Sequence, residues 1–179
     1  MSLEKCRECK HEVSVNARNC PNCGAPYPAK QEWIGTGFEW KSSVEYMGFP
    51  LIHIAFGRTA QNKLRVAKGI IAIGQFAFGL ITVAQFGVGL LFGFGQFIVG
   101  FAAVAQFAIT LYLGLGQFTV GHIAIGQIAF GHFVLAQAGY GQYIWSTNIH
   151  DPIAMQYFNE TFGRFGLHLG DAWMNKLPK

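Results

Sequence analysis

Residues 69–145 decide the fold, and when they are divided before each small residue they read GIIAI, GQFAF, GLITV, AQFGV, GLLFGF, GQFIV, GFAAV, AQFAI, TLYLGL, GQFTV, GHIAI, GQIAF, GHFVL, AQAGY and GQYIW. The stretch from Gly69 to His150 contains no Asp, Glu, Lys or Arg. A Gly, Ala or Thr opens each unit, and most units end in Val, Ile, Leu or Phe. This regularity indicates a chain wound from short, equivalent segments.

Hydropathy alone predicts a different structure for this stretch, namely three or four membrane-spanning helices of about 20 apolar residues each. An integral membrane protein of this kind, with a role in transport, is one alternative for the whole chain. The periodicity argues against it, because a five-residue step carries the small residue about 140° beyond a full helical turn and builds no packing face. The fifteen glycines between positions 69 and 149 would also cost about 1 kcal/mol each in a water-exposed helix.

A right-handed, four-sided parallel β-solenoid explains the same pattern, with each unit forming one side. The two six-residue units begin at Gly89 and Thr110, four units apart, and each contains an extra glycine. This spacing predicts about four coils with a bulge at one corner. Two rows of glutamine then stack on opposite sides, with Gln75, Gln96 and Gln117 in one row and Gln85, Gln106 and Gln127 in the other. Each row would form an amide ladder, whereas on a helix the same spacing would form one stripe.

The repeat resembles the pentapeptide-repeat family, whose right-handed four-sided β-helix has a small residue first in each unit and Leu or Phe third. The resemblance implies that first and third positions fill a narrow core, the third-position residues being Phe76, Ile81, Phe86, Leu91, Phe97, Ala102, Phe107, Tyr112, Phe118, Ile123, Ile128 and Phe133. Fifth positions would then face outward, and they are Phe78, Val83, Val88, Phe94, Val99, Val104, Ile109, Leu115, Val120, Ile125, Phe130 and Leu135. The second position lacks the family's Asp or Asn, so the DNA mimicry of some members is not transferred.

The outward apolar ring exceeds the few hundred Å² of contiguous apolar surface that a soluble monomer normally shows. We therefore expect membrane lipid or self-association to cover the walls. Four coils at about 4.8 Å each give a stack of about 20 Å, shorter than the ~30 Å hydrocarbon core, which predicts a molecule lying in one leaflet. His122 and His132, two units apart, are expected on opposite sides of a coil and therefore too far apart to share a metal ion.

Two Cys-x2-Cys knuckles precede the repeat, and their cysteines are Cys6, Cys9, Cys20 and Cys23. Four thiolates from two tight turns complete a tetrahedral shell that suits one Zn²⁺, and this closed shell predicts a structural site. Disulfides or free thiols are the alternative, and the lack of an export signal favours zinc. The segment CRECKHEVSVNARNCPNCGAPYP resembles short zinc ribbons at the N-termini of bacterial proteins, with Lys10 where glycine is usual.

The charge is concentrated before the repeat, since residues 1–68 hold ten Lys/Arg against six Asp/Glu. Such a flank beside an apolar block favours anionic lipid headgroups. The start MSLEKCREC has no apolar signal region, so we expect a membrane-associated protein on the cytoplasmic side. The ribbon's basic residues are diluted by glutamates and lack an aromatic platform, which disfavours nucleic acid and leaves a protein partner at the ribbon as an alternative.

The organisation predicted from these patterns is a zinc ribbon at 1–28, a connector and N-terminal β cap at 29–68, the solenoid at 69–149 and a partly helical C-terminal cap at 150–179. Asp151 and Pro152 predict the start of a helix, which would cover the unpaired edge of the final coil. The connector SSVEYMGFPLIHIAFG and the following RVAKGIIAIG resemble segments that precede Gly-rich repeats in uncharacterised bacterial proteins. His53, within this connector, is predicted to be a buried or hydrogen-bonded histidine without a catalytic role.

The sequence shows no paired carboxylates, no Ser/His/Asp set and no phosphate-cradling loop, so we expect no enzymatic activity. The predicted function is a non-catalytic scaffold or binding protein that associates with membranes or with itself. A zinc-ribbon adaptor for nucleic acid or protein is the other alternative, beside the multi-helix membrane protein.

Overall fold

The structure, a computed structural model, describes residues 2–30 and 35–166 and is mainly β within them. Its elements in chain order are β1 (Leu3–Lys5), β2 (Glu12–Ser14), β3 (Thr36–Lys41), β4 (Glu45–Tyr46), β5 (Phe49–Pro50), β6 (Ile52–Arg58), β7 (Val66–Ser146) and α1 (Pro152–Gly163). The predicted class, mainly β with a C-terminal helix, is confirmed. Parts of the predicted connector and C-terminal cap, residues 31–34 and 167–179, lie outside the described residues.

The chain divides into two compact units, and the first comprises Met1–Gly37 with Gly57–Leu64. Within it β1 and β2 form an antiparallel pair, with Glu4 opposite Val13. The small core of this unit contains Cys6, Val13, Cys20 and Ala25. Burying two cysteines beside two apolar residues makes the thiol cluster itself part of the core.

The second unit comprises Phe38–Phe56 and Arg65–Lys179. A hairpin joins β4 to β5 through Met47 and Gly48, which have φ of 53° and 79°. Two successive positive φ angles are typical of the tight turns whose twist matches paired strands. Strand β6 pairs in parallel with the start of β7, with Ile52 opposite Ile71, in a sheet of order β3-β6-β7.

Strand β7 contacts itself at intervals of ten or eleven residues. The rings of Phe76 and Phe86 lie 5.6 Å apart between centroids, and those of Phe86 and Phe97 lie 6.1 Å apart. The Thr110 hydroxyl donates a hydrogen bond of 2.9 Å to the Val120 carbonyl. The predicted four-sided coil is therefore wrong, because residues two units apart would lie on opposite sides of such a coil. Two units complete one turn, so the number of turns is about twice the four predicted.

Alternate units of β7 therefore stack on one another and form one face of the strand coil, which we call a wall. The units that begin at positions 74, 84, 95, 105, 116, 126 and 136 each carry Gln at their second position, and we call their surface the glutamine wall. The intervening units, beginning at 69, 79, 89, 100, 110, 121, 131 and 141, form what we call the aliphatic wall. The two predicted glutamine rows on opposite sides are thus one row: Gln96 and Gln106 lie together on a surface with Phe86, Phe97 and Phe107.

The interior of β7 is filled mainly by small residues at the first and fourth positions of the units, with Ile98 and Val134 as larger buried fourth positions. Buried fourth positions include Ala72, Ala77, Thr82, Ala103, Ala108, Thr119, Ala124 and Ala129. The predicted third-position core is wrong, since Phe86 is 49% and Leu91 57% exposed. Ile123 is an exception that is buried, and it packs in one cluster with α1. The predicted outward fifth positions are confirmed for seven residues that are exposed, whereas the other five are half-buried, and Ile125 and Leu135 among these pack in the cluster with α1.

Glycines permit the close approach of successive turns. A Cβ atom added at Gly95, Gly100 or Gly116 would clash with the backbone carbonyl oxygen of Ala84, Gly89 or Ala105, respectively, on the preceding turn. Glycine is the residue that allows another backbone to come this near. The recurring small residue therefore reflects turn-to-turn contact.

Helix α1 begins as predicted, with the Asp151 carboxylate accepting hydrogen bonds from the backbone N–H groups of Ile153 at 2.8 Å and Ala154 at 3.2 Å. Its predicted position over the open edge of the last coil is wrong. The helix packs on the aliphatic wall, where Tyr157 stacks on Phe133 at 4.1 Å between ring centroids. The buried cluster around α1 contains residues from four neighbouring units of this wall, including Leu113, Ile123, Leu135 and Trp145.

Among the described residues, no helix combines the length and apolar character needed to cross a bilayer. The uncharged region that the multi-helix alternative assigned to helices is strand.

Candidate metal centre and apolar walls

The structure brings the four predicted metal-binding cysteines together. All four Sγ atoms lie within 4.8 Å of one another, with Cys6 and Cys23 at 3.7 Å and Cys9 and Cys20 at 3.6 Å. Zinc–sulfur bonds of about 2.3 Å in a tetrahedron require sulfur atoms about 3.8 Å apart. The four thiols are free, and their spacing is far longer than the ~2.05 Å of a disulfide. The cluster therefore fits a metal ion.

Backbone geometry explains why these two segments converge. Each knuckle closes on itself, with Lys10 N–H donating to the Cys6 carbonyl and Gly24 N–H donating to the Cys20 carbonyl, both at 2.9 Å. Lys10 has φ of 61° and Gly24 has φ of 74°. Lys10 thus adopts the left-handed conformation for which glycine is usual, so its departure from the ribbon pattern preserves the turn.

Local hydrogen bonds favour the thiolate form of the first two cysteines. The backbone N–H of Cys9, followed by that of Glu8, lowers the pKa of Cys6 against the opposing effect of burial. The Asn22 side chain and then the His11 backbone N–H lower the pKa of Cys9 to about 6. Thiolates are the form that binds metal.

The fourth cysteine shows the opposite pKa shift. The backbone N–H of Ala25 acts to lower the pKa of Cys23, but burial and the neighbouring Cys9, Cys20 and Cys6 sulfur atoms raise it to about 12. Four negative charges at this spacing repel one another, and a divalent ion removes that repulsion. Metal binding is therefore expected to release protons.

His53 lies in a charged cluster that joins three strands. It is buried, its Nδ1 accepts a hydrogen bond of 2.8 Å from the Lys68 backbone N–H, and its Nε2 lies 3.4 Å from Glu39 Oε1. Glu39 also pairs with Arg65 and Lys41. The prediction of a buried, hydrogen-bonded histidine is confirmed.

Sequence reasoning missed the rest of this cluster. Burial acts to raise the pKa of Glu39, but hydrogen bonds and charge from Arg65 and Lys41 outweigh it and hold that pKa below its usual value. Glu39 and Arg65 are far apart in the chain, on either side of the connector's β4–β5 hairpin. No periodicity or motif in the sequence links Glu39 to Arg65. The sequence signal for this charged cluster was the position of His53 within the connector.

The structure corrects the placement of His122 and His132. Their rings stack at 4.8 Å between centroids with an interplanar angle of 10°, instead of pointing in opposite directions. They continue a column on the aliphatic wall in which Tyr112 stacks on Phe101 at 5.4 Å and on His122 at 6.0 Å. The reason is the turn length, because two units return the chain to the same wall. In the described chain, groups of three or more metal-binding side chains are limited to the four cysteines.

Apolar side chains dominate the outer surface of both walls. On the aliphatic wall, exposed residues before the part covered by α1 include Ile81, Val83, Leu90, Leu91, Phe92, Phe94, Phe101 and Leu111. On the glutamine wall they include Phe78, Phe86, Phe97, Val99, Phe107 and Ile109. Surfaces of this extent normally mark an interaction site.

Comparisons with known proteins give little functional guidance. No protein-family model matches the chain, and no solved structure matches it. A segment of 30 residues is 53% identical to part of a Haemophilus influenzae protein described as uncharacterized. The match covers 17% of this chain and 40% of that relative, so the chain spans about two fifths of the relative's length.

Proposed function

We propose that this protein is a non-catalytic, membrane-associated scaffold or binding protein with one structural zinc ion. The observation that carries this proposal is the inverted distribution of side chains in β7. Ala, Gly and Thr occupy most interior positions, with Ile98 and Val134 as larger exceptions, while most Phe, Leu, Ile and Val side chains are exposed or half-exposed. A soluble scaffold would gain stability from the opposite arrangement, because burying a large apolar side chain contributes about 1.5–3 kcal/mol.

We further propose that β7 is a two-sided β-solenoid. The self-contacts at ten or eleven residues and the parallel pairing of β6 with β7 support it. Right-handed winding is the choice favoured by the twist of strands in parallel connections. The 81 residues of β7 make between seven and eight turns, which at about 4.8 Å each gives a stack of roughly 36 Å.

Lipid is favoured over self-association as the covering of the walls. The stretch 69–150 contains no Asp, Glu, Lys or Arg that would have to enter the hydrocarbon region. The preceding stretch 1–68 has more Lys and Arg than Asp and Glu. Anionic headgroups attract such basic segments by about 1 kcal/mol for each Lys or Arg near the surface. A second copy of the chain would satisfy the apolar walls but would be repelled by the basic segment.

Zinc is proposed as the ion because four thiolates form a soft, tetrahedral donor set. When bound, it would hold the two knuckles of the first unit together, and its four protein ligands would leave no position for a substrate. We expect zinc content of about one per chain in the full-length protein, measured by atomic absorption. Cys20→Ser should lose the ion and the hydrogen-exchange protection of residues 2–30, whereas Ser14→Cys should keep both. Full protection of residues 2–30 after zinc removal would contradict a structural role.

Membrane association is tested with the full chain by vesicle flotation. We expect the protein to float with vesicles that contain phosphatidylglycerol and to remain bound in about 1 M salt, because apolar insertion is not screened. Release by salt would assign the binding to the basic segment alone. A monodisperse monomer in detergent-free buffer that does not float would overturn the proposal.

A further inference from the structure

The two walls of β7 differ in the polarity of one row. The glutamine wall carries an amide at the second position of every unit, at residues 75, 85, 96, 106, 117, 127 and 137. The corresponding positions on the aliphatic wall, before α1 covers it, are Ile70, Leu80, Leu90, Phe101 and Leu111. Leu90, Phe101 and Leu111 lie together along one surface strip, which also includes Val88, Val99 and Ile109 at the adjoining edge of the glutamine wall.

This difference decides which wall suits hydrocarbon. Moving an amide from water into an apolar medium without a hydrogen-bond partner is strongly unfavourable. Inserting the glutamine wall would incur this penalty at its exposed glutamines, among them Gln85, Gln96, Gln106, Gln117 and Gln127. The uncovered aliphatic wall has no such penalty, because its outward residues between positions 79 and 111 are apolar.

Resting on the proposed membrane association, we propose that the aliphatic wall between residues 79 and 115 enters one leaflet of a lipid bilayer, while the glutamine wall stays outside the hydrocarbon. Helix α1 bounds the inserted surface on one side, since it packs over the later units of the same wall. Tyr112 and His122 stand at this boundary, where amphipathic rings favour the membrane interface. The surface would enter by the roughly 5–10 Å typical of interfacial segments.

The distribution of charge favours lipid over a second copy on this surface. The wall carries no Asp, Glu, Lys or Arg, and the excess of Lys and Arg lies in residues 1–68. Anionic headgroups attract such a basic segment, whereas the same segment of a second copy would repel it. Binding to a leaflet also strengthens with the apolar area inserted.

Two matched double variants test the choice of wall. Leu90→Gln with Phe101→Gln changes aliphatic-wall residues that are 49% and 45% exposed. Phe86→Gln with Phe107→Gln changes glutamine-wall residues that are 49% and 48% exposed. We expect the first variant to lower partitioning into phosphatidylglycerol vesicles at least about tenfold and the second to change it less than about twofold.

The other outcomes distinguish an error in the wall assignment from an error in the proposed membrane association. Equal losses in both variants, or no loss in the first, would overturn the wall assignment and leave membrane association intact. Failure of the unmodified protein to bind vesicles would instead overturn the proposed function. Conversion of an oligomer to a monomer by the first variant, with unchanged vesicle binding, would show that a second copy covers this wall.

A second measurement remains valid if the glutamine variants fail to fold. Leu90→Trp and Phe86→Trp preserve apolar character on the two walls, and each adds one fluorophore. With lipids brominated along the acyl chain, we expect additional quenching for Leu90→Trp and none beyond the unmodified protein for Phe86→Trp. Quenching of Phe86→Trp equal to or above that of Leu90→Trp would overturn the proposal.

Discussion

At the scale of single residues, small side chains control how closely the turns of β7 approach. Gly116 lies so near the carbonyl oxygen of Ala105 that a methyl group at this position would overlap it. The clash involves backbone, which cannot rotate aside as a flexible side chain can. Gly163, near the end of α1, has no heavy atom within 4 Å of an added Cβ.

Gly116→Ala is therefore expected to destabilise the protein by several kcal/mol, or to prevent a native fold, because neighbouring turns must separate. Gly163→Ala is the control and should leave stability unchanged or raise it by less than about 1 kcal/mol. Thermal unfolding in detergent, followed by circular dichroism, measures both. Equal stability of the two variants would contradict the observed turn spacing.

At the scale of elements, a charged cluster joins β3, β6 and the start of β7. Glu39 on β3 pairs with Arg65 immediately before β7, and it faces the His53 imidazole of β6. Lys41 adds a second cation at 3.4 Å. The lowered pKa of Glu39 means that the folded state favours its ionised form.

Acid should therefore weaken this junction. Because the pKa of Glu39 is lower in the folded than in the unfolded state, its stabilising contribution is present above the unfolded value of about 4.3 and is lost as pH falls through the folded value. Glu39→Gln should reduce the fall in unfolding free energy between pH 5 and pH 3, measured by denaturant titration. Glu45→Gln, an exposed carboxylate on β4, is the control. An unchanged acid response in Glu39→Gln would show that this ion cluster contributes nothing.

At the scale of the whole molecule, the two units are stabilised by different interactions. The first has a core of four buried residues that includes two of the clustered cysteines, so a bound ion would supply much of its folding free energy. In the second unit, β7 depends mainly on contact between successive turns, and its large buried side chains, among them Ile98 and Val134, are few. Because its large apolar residues remain outside, much of its hydrophobic free energy becomes available when a partner covers them. The two vesicle experiments test this consequence.

Much of the architecture could be predicted from the sequence because it depends on local patterns. Two Cys-x2-Cys knuckles predicted which thiols would meet, and the metal-compatible spacing follows from tight turns. The five-residue recurrence predicted strand over helix, since it builds no helical face. Asp151 followed by Pro152 predicted the start of α1. Each of these features depends on residues that are close together in the chain.

Tertiary structure alone decided the length of a turn and everything that depends on it. Units of five residues are compatible with a turn of two or of four units, and only the contacts of Phe76 with Phe86 and of His122 with His132 distinguish them. The shorter turn is too thin to hold a phenylalanine, so the third position moved outside and the fourth inside. The Glu39–Arg65 pair and the packing of α1 on the aliphatic wall bring together residues that are distant in the sequence. Residue spacing within short segments does not reveal such contacts.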